Sequence, residues 1–155
     1  MKPRLLLTTL VLAVAPLWAA DTPGTDPNIR QPSVQDRLAN ARKAVDRRDW
    51  SGAMRELNVA VKQAPNDADV HNLLGYTYRK RATPDMAKAM EHYNAALKFN
   101  PQHRGAHEYI GEAYLMQKRL SEAERHLVEL ERICGTGCEE YRDLAKSIAD
   151  YKARN

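Results

Sequence analysis

The sequence has little of what most site chemistry requires. Its 155 residues include two cysteines, seven glycines, two tryptophans and one phenylalanine. The longest apolar run, Leu5 to Trp18, is about 14 residues, short of the roughly 20 that cross a bilayer. No cysteine follows that run, which argues against a lipid anchor of the bacterial lipoprotein kind, and no twin-arginine pair precedes it. No nucleophile–base constellation, phosphate-cradling glycine loop or metal-ligand cluster stands out, so catalysis is not expected. The formal net charge is +4. That is too little for nucleic-acid binding, which calls for a concentrated basic stripe.

What is present at the N-terminus is a leader pattern. Lys2 and Arg4 precede the apolar run, and Ala19-Ala20 close it, which reads as a secretory signal peptide over residues 1–20. Cleavage after Ala19 or Ala20 would leave a bulky Leu17 or Trp18 two residues before the bond; the alternative is an uncleaved anchor. Losing Lys2 and Arg4, with no acid beside them, lowers the charge from +4 to +2. Residues 21–33, "DTPGTDPNIRQPS", hold three prolines and one strongly apolar residue, Ile29. Such a stretch cannot bury enough surface to offset its ordering cost and reads as a flexible tether. Export, most naturally to a bacterial periplasm, would also permit a lasting disulfide.

From Val34 onward the chain repeats itself. "HNLLGYTY" at His71–Tyr78 returns as "HEYIGEAY" at His107–Tyr114, 36 residues later. The segments that follow also correspond. They begin at Ala53, Ala89 and Ala123, each with a large apolar residue four positions on: Leu57, Tyr93 and Leu127. Units recurring at such a period bury their apolar faces only by stacking on neighbours.

The pattern resembles the tetratricopeptide repeat, W-x2-L-G-x2-Y, then A-x3-F, then P. The second unit carries His71 in place of the tryptophan, then Leu74, Gly75, Tyr78, Ala89, Tyr93 and Pro101. The third carries His107, Ile110, Gly111, Tyr114, Ala123 and Leu127, with Gly135 where the proline would stand. The first is worn in its first half (Arg37, Asn40, Ala41, Ala44) and regular in its second (Ala53, Leu57, Pro65). The resemblance implies an all-α, right-handed solenoid of helix-turn-helix units over 34–67, 68–103 and 104–137. The amphipathic stretch 138–155 would be its capping helix.

Cap signals mark the boundaries. Ser33 suits the first helix and Asn66 or Asp67 the third. "TPD" at Thr83–Asp85 offers a cap, a first-turn proline and an acid, and Ser121 with Glu124 has capping-box spacing. Ala41 to Ala53 and Gly111 to Ala123 are 12 apart, but Gly75 to Ala89 is 14. Two extra residues therefore fall in the middle unit's turn, "RKRATPD", whose Arg79, Lys80 and Arg81 are either solvated charges or a basic contact point.

Histidines and cysteines admit several readings. His103 and His107 have i, i+4 spacing, which on a helix can hold a metal. The repeat register favours packing instead: His71 matches His107, and His92 matches His126. Cys134 and Cys138 flank "GTG" at the joint between the last repeat helix and the capping helix. Their readings are a structural disulfide, free or regulatory thiols, or a metal site. The first is favoured, because the C-x-x-C spacing of a redox couple is absent and no strand is evident. No cofactor is expected.

The resemblance implies a binding scaffold whose first helices line a concave groove for a partner protein's peptide or helix. Groove candidates by register are Leu38, Arg42 and Val45; Asn72, Tyr76 and Arg79; and Glu108, Glu112 and Leu115. One form of this fold clamps terminal carboxylates with Lys, Arg and Asn. Here Arg42 and Asn72 fit that scheme, but Glu108 and Glu112 oppose it, which points to a groove basic at one end and acidic at the other. The expected role is a non-enzymatic adaptor for another envelope protein, with no nucleic acid and no membrane span after cleavage. The alternatives are a self-associating module, or a metal- or thiol-handling protein using Cys134 and Cys138.

Overall fold

The structure, a computed structural model, describes residues 30–155. The leader, and the tether up to Ile29, lie outside the described residues. Seven helices follow one another: α1 (Val34–Asp46), α2 (Trp50–Gln63), α3 (Ala68–Lys80), α4 (Met86–Phe99), α5 (Arg104–Met116), α6 (Leu120–Cys134) and α7 (Glu139–Arg154). No strand occurs among the described residues. No described helix is long and apolar enough to cross a membrane.

Helices pair as α1/α2, α3/α4 and α5/α6, and each even helix packs on the odd helix that follows it. Odd helices also touch the next odd helix, α1 to α3, α3 to α5 and α5 to α7, whereas α2 does not touch α4 nor α4 touch α6. Close approach on one side and separation on the other curve the stack, with the odd helices on the inner side. The result is an all-α helical-repeat solenoid.

Small residues permit that approach. A Cβ on Gly75 would lie 2.6 Å from the Tyr93 ring and 3.0 Å from the Ala89 carbonyl oxygen. A Cβ on Gly111 would lie 2.7 Å from Leu144 of α7. Ala41, Ala53, Ala89, Ala96 and Ala123 are fully buried at other contacts between helices. Around them the core forms three clusters, joined through the partly buried Tyr78 and Tyr114. Leu38, Leu57 and Leu74 fill α1–α3, Tyr93 and Ile110 fill α3–α5, and Leu130, Leu144 and Ile148 fill α5–α7. Each such side chain contributes about 1.5–3 kcal/mol on leaving water.

Caps follow the sequence in part. Ser33 and Asp36 form a full capping box on α1, and Asp67 caps α3 through the Val70 N–H. Two expectations are corrected. The α4 cap is Asp85, accepting from the Lys88 N–H, so Thr83 and Pro84 lie outside the helix. In α6 the helix begins at Leu120, with Arg119 as an N-cap lacking a side-chain bond, so Ser121 and Glu124 are already inside and form no capping box.

The middle turn also differs from its expected form. Arg79 and Lys80 belong to α3, and the link is Arg81–Asp85. Against the links Arg47–Asp49 and Gln117–Arg119 it is longer by the two residues that the spacing implies. Both short links reverse the chain through a left-handed residue, Arg48 (φ 56°) and Lys118 (φ 60°), and the longer link needs none. Gly135 (φ 73°) ends α6 in a conformation that suits glycine. Cys134 and Cys138 are joined as a disulfide across the α6–α7 joint. Closing so small a loop contributes roughly 2 kcal/mol in the chain-entropy model.

Gly75→Ala forces a methyl against Tyr93 and the α4 backbone and is expected to destabilise by about 1–3 kcal/mol. Gly137→Ala, with nothing within 4 Å of the added carbon, should cost less than about 0.5 kcal/mol. Urea midpoints of the two variants compare them; equal shifts would show that close approach at Gly75 is not limiting.

Candidate functional site: the concave face

The odd helices place most of the groove candidates on one face. Arg42, Val45, Asn72 and Tyr76 line a hollow of about 390 Å³ with Asp46, Asp69, Leu73 and Tyr109. Arg79, Glu112 and Leu115 line a second, of about 320 Å³, beside Lys80, Met116 and the α7 residues Ser147, Asp150, Tyr151 and Arg154. Helix α7 is therefore a wall of the groove as well as the lid of the stack, which the sequence reading missed. The signal that could have found it is the polar stripe through Ser147, Asp150 and Arg154.

Leu38 is the clear correction among the candidates. It is 0% exposed, packed with Ala41, Leu57 and Leu74, and cannot meet a partner. Its register position is shared with Asn72 and Glu108, but an aliphatic side chain there turns into the core. Leu115 is also nearly buried, at 8% exposed, and offers only an edge.

Arg79 is a junction, not a free basic contact. It is 4% exposed. Its guanidinium donates to a Glu112 carboxylate oxygen at 2.6 Å and to the Tyr93 hydroxyl at 3.2 Å. It also lies 5.6 Å and 5.7 Å from the ring centres of Tyr76 and Tyr109. Burial works against its charge, but Tyr93 and Glu112 outweigh burial and hold it more firmly protonated than usual. The second Glu112 oxygen accepts from Ser147 at 3.5 Å. One arginine thus ties α3 to α4 and α5, and through Glu112 to α7.

Electrostatics on this face are uneven. Arg42 lies 3.7 Å from Asp69, and Arg104 lies 3.5 Å from Glu140. The expected basic end is therefore largely offset. Glu108 has no ion pair or hydrogen bond among the described residues. Burial, then repulsion from Glu112, Asp143 and Glu140, pushes its carboxyl up to about 8. Asn72 Oδ1 is buried and receives no hydrogen bond. The tilted rings of Tyr76 and Tyr109, 4.8 Å apart by their centres, line the first hollow, and Trp50 at the start of α2 lies 6.5 Å from Tyr76.

Histidines form two matching bridges between paired helices. His71 Nε2 is 2.9 Å from the Pro65 carbonyl, and its Nδ1 is 3.0 Å from His92 Nδ1. His107 repeats this with Pro101 (3.0 Å) and His126 (2.9 Å). A carbonyl can only accept, so His71 and His107 carry their proton on Nε2, and the Nδ1–H of His92 or His126 donates to the other ring. In the first unit the same two places hold Arg37 and Glu56, an ion pair at 3.1 Å. His103 caps α5, accepting from the Ala106 N–H through Nδ1 and meeting Asp69 through Nε2 at 2.9 Å. His103 and His107 are thus engaged separately and do not converge on a metal. Among the described residues, the one group of three potential ligands placed closely enough for an ion is Cys134, Cys138 and Glu140, and its two sulfurs are bonded to each other.

The tetratricopeptide repeat family model matches residues 38–103 and 85–134. The chain belongs to the tetratricopeptide repeat family. No curated protein sequence matches it. Solved structures similar to it include the TPR2B domain of yeast Sti1 in a complex with pHsp70, with TM-score 0.68, 16% identity, and coverage of 79% of this chain and 98% of that one. The first TPR of Spaghetti (RPAP3), bound to the HSP90 peptide SRMEEVD, gives 0.67 and 16%, covering 78% and 96%. The Arabidopsis OM64 TPR domain gives 0.66 and 13%, covering 77% and 96%. At these identities the likeness is one of fold.

Two predictions follow from the site's chemistry. Burial, then the His107 and Arg125 neighbours, push His126 down to about 4. Between pH 6.5 and 4 the unfolded chain takes up a proton that the folded chain refuses at this ring, so stability falls as pH falls. Below about 4 both states are protonated there and the loss levels off. The expected loss is about 1–2 kcal/mol after allowing for solvent screening. In His126→Gln, whose amide still donates to His107, melting temperature should fall less over that range; an unchanged profile would show that this ring does not set the acid limb.

Glu112→Ala strands the Arg79 guanidinium without its carboxylate and should destabilise by about 3 kcal/mol. Glu129→Ala, which breaks an exposed i, i+3 pair with Arg132, should shift the urea midpoint far less. Comparable shifts would mean that the Arg79 junction carries no special weight.

Proposed function

We propose that the chain is a non-catalytic adaptor of the cell envelope, binding a peptide or helix of another protein in the concave face of its odd helices. The observation that carries this reading is the groove itself. Tyr76 and Tyr109, Arg42 and Asn72 share one hollow, open beside a rigid Arg79 junction. Rigid aromatic rings with polar groups between them suit a peptide, which supplies both side chains and unpaired backbone groups. One structural neighbour, the Spaghetti domain, is bound to a peptide, and another, the Sti1 domain, is in a complex with pHsp70. Family membership supports a protein-interaction scaffold in the same sense.

A periplasmic setting is part of the proposal. It is supported by the basic start and apolar run of residues 1–20, and by the Cys134–Cys138 disulfide, which persists in oxidising compartments.

The test is photo-crosslinking in intact cells from p-benzoylphenylalanine placed at Tyr76, with Val128 as the control site. Val128 lies on α6, outside the face formed by the odd helices, and is 62% exposed. The expected result is a discrete adduct from Tyr76 that is absent from Val128. Equal capture at both sites, or none at Tyr76, would overturn the reading.

A further inference from the structure

The groove's own chemistry narrows what fills it, on the premise that the concave face binds a peptide. The central arginines of the face already hold carboxylates: Arg42 with Asp69, Arg79 with Glu112, and Arg104 with Glu140. An acidic ligand would have to displace one of those acids. Glu108, in contrast, has no counter-ion among the described residues and faces three other carboxylates, those of Glu112, Glu140 and Asp143. Asn72 occupies the equivalent register position on the neighbouring helix, 36 residues earlier, and its buried Oδ1 lacks a donor. Between the two helices, the Tyr76 and Tyr109 rings stand 4.8 Å apart by their centres. The Arg79 guanidinium already lies 5.6 Å and 5.7 Å from their centres, so a ligand cation is drawn here by the carboxylates rather than by the rings.

We propose that the concave face binds a peptide segment through an arginine or lysine side chain, received by Glu108 beside the Tyr76 and Tyr109 rings, with Asn72 lining the same hollow as those rings. The occupant is thus a basic stretch of a partner protein, not an acidic chain terminus. It supplies the positive charge that Glu112, Glu140 and Asp143 draw toward Glu108. Binding draws Glu108 into its ionised form and releases its proton. The other groups facing that carboxyl are Arg79 and Tyr76 from α3 and Tyr109 beside it on α5. Arg79 is already committed to Glu112, and both tyrosines stay neutral through this range, their ionisation pushed up first of all by burial.

The experiment is fluorescence anisotropy of the full chain with three pools of end-blocked, fluorescein-labelled nonapeptides. The pools are random apart from a fixed central arginine, glutamate or norleucine. The arginine pool should bind about tenfold tighter than the glutamate pool. Its affinity should rise between pH 6.5 and 8.5 as Glu108 becomes easier to ionise. Glu108→Gln removes a half-buried carboxyl, so it should fold at least as well as the parent, a point checked by its melting curve. It should bring the arginine and norleucine pools within about twofold of each other and abolish the pH trend. A glutamate pool that binds as well as the arginine pool, or an arginine preference untouched by Glu108→Gln, overturns the proposal. If norleucine and arginine pools bind equally while Tyr76 still yields its adduct, the cationic ligand falls and the scaffold reading stands. If no pool binds and Tyr76 captures nothing, both fall.

Discussion

The distance at which α3 meets α4 is set by the missing side chain of Gly75. The Tyr93 ring sits where a Cβ would intrude to 2.6 Å. With the helices that close, Tyr93 points its hydroxyl back across α3 to Arg79, and Arg79 reaches Glu112 on the next hairpin. Widen that gap and the hydroxyl loses the guanidinium, the guanidinium loses its lock on α5, and the two hollows of the concave face no longer share a fixed wall. Interiors this densely packed transmit such a change because they hold few voids to absorb it.

Above that apolar contact each repeat carries one polar bridge between its paired helices, and the bridge differs in chemistry while keeping its place. Arg37 and Glu56 fill it in the first unit, His71 and His92 in the second, His107 and His126 in the third. The histidine version ends on the carbonyl of Pro65 or Pro101, the proline that terminates the preceding even helix. So the residue standing in for the repeat's tryptophan joins three segments: its own helix, its partner and the previous unit. A half-buried polar bridge is tolerable only when every member is satisfied, and here each ring proton has an acceptor. Its acid sensitivity is the cost of choosing imidazoles over a permanent ion pair.

The sequence was most legible where one residue type has one physical use. Glycine and alanine at fixed register, prolines after even helices, Ser33 and Asp67 before odd ones, and two cysteines bracketing a glycine joint all stand where their spacing implied. Legibility failed where a residue has two outlets. Thr83, Asp85 and Ser121 are all good caps, and which one serves depends on how far the helix winds back, a tertiary matter. Leu38 and Arg79 share register with Asn72 and Val45, which line the first hollow, yet one is apolar and sinks while the other finds an acid 33 positions away. The His–His bridges were visible only as matched repeats, because pairing across a hairpin has no local signature. The polar stripe of α7 marks a face for the groove, but which side of the stack it meets depends on Leu144 lying against Gly111.

That last contact joins closure of the stack to the shape of the face. Helix α7 covers the apolar end of α5 and α6 with Leu144 and Ile148, as a terminal helix of a solenoid must. The same helix turns Ser147 toward Glu112 and carries Glu140 and Asp143 close enough to raise Glu108. The disulfide holds its first turn against the end of α6, where Gly135 has already reversed the chain. Leu144 against Gly111, the Arg104–Glu140 pair and the clasp thus fix α7 along its length, and the acids that give the concave face its unbalanced charge are fixed with it.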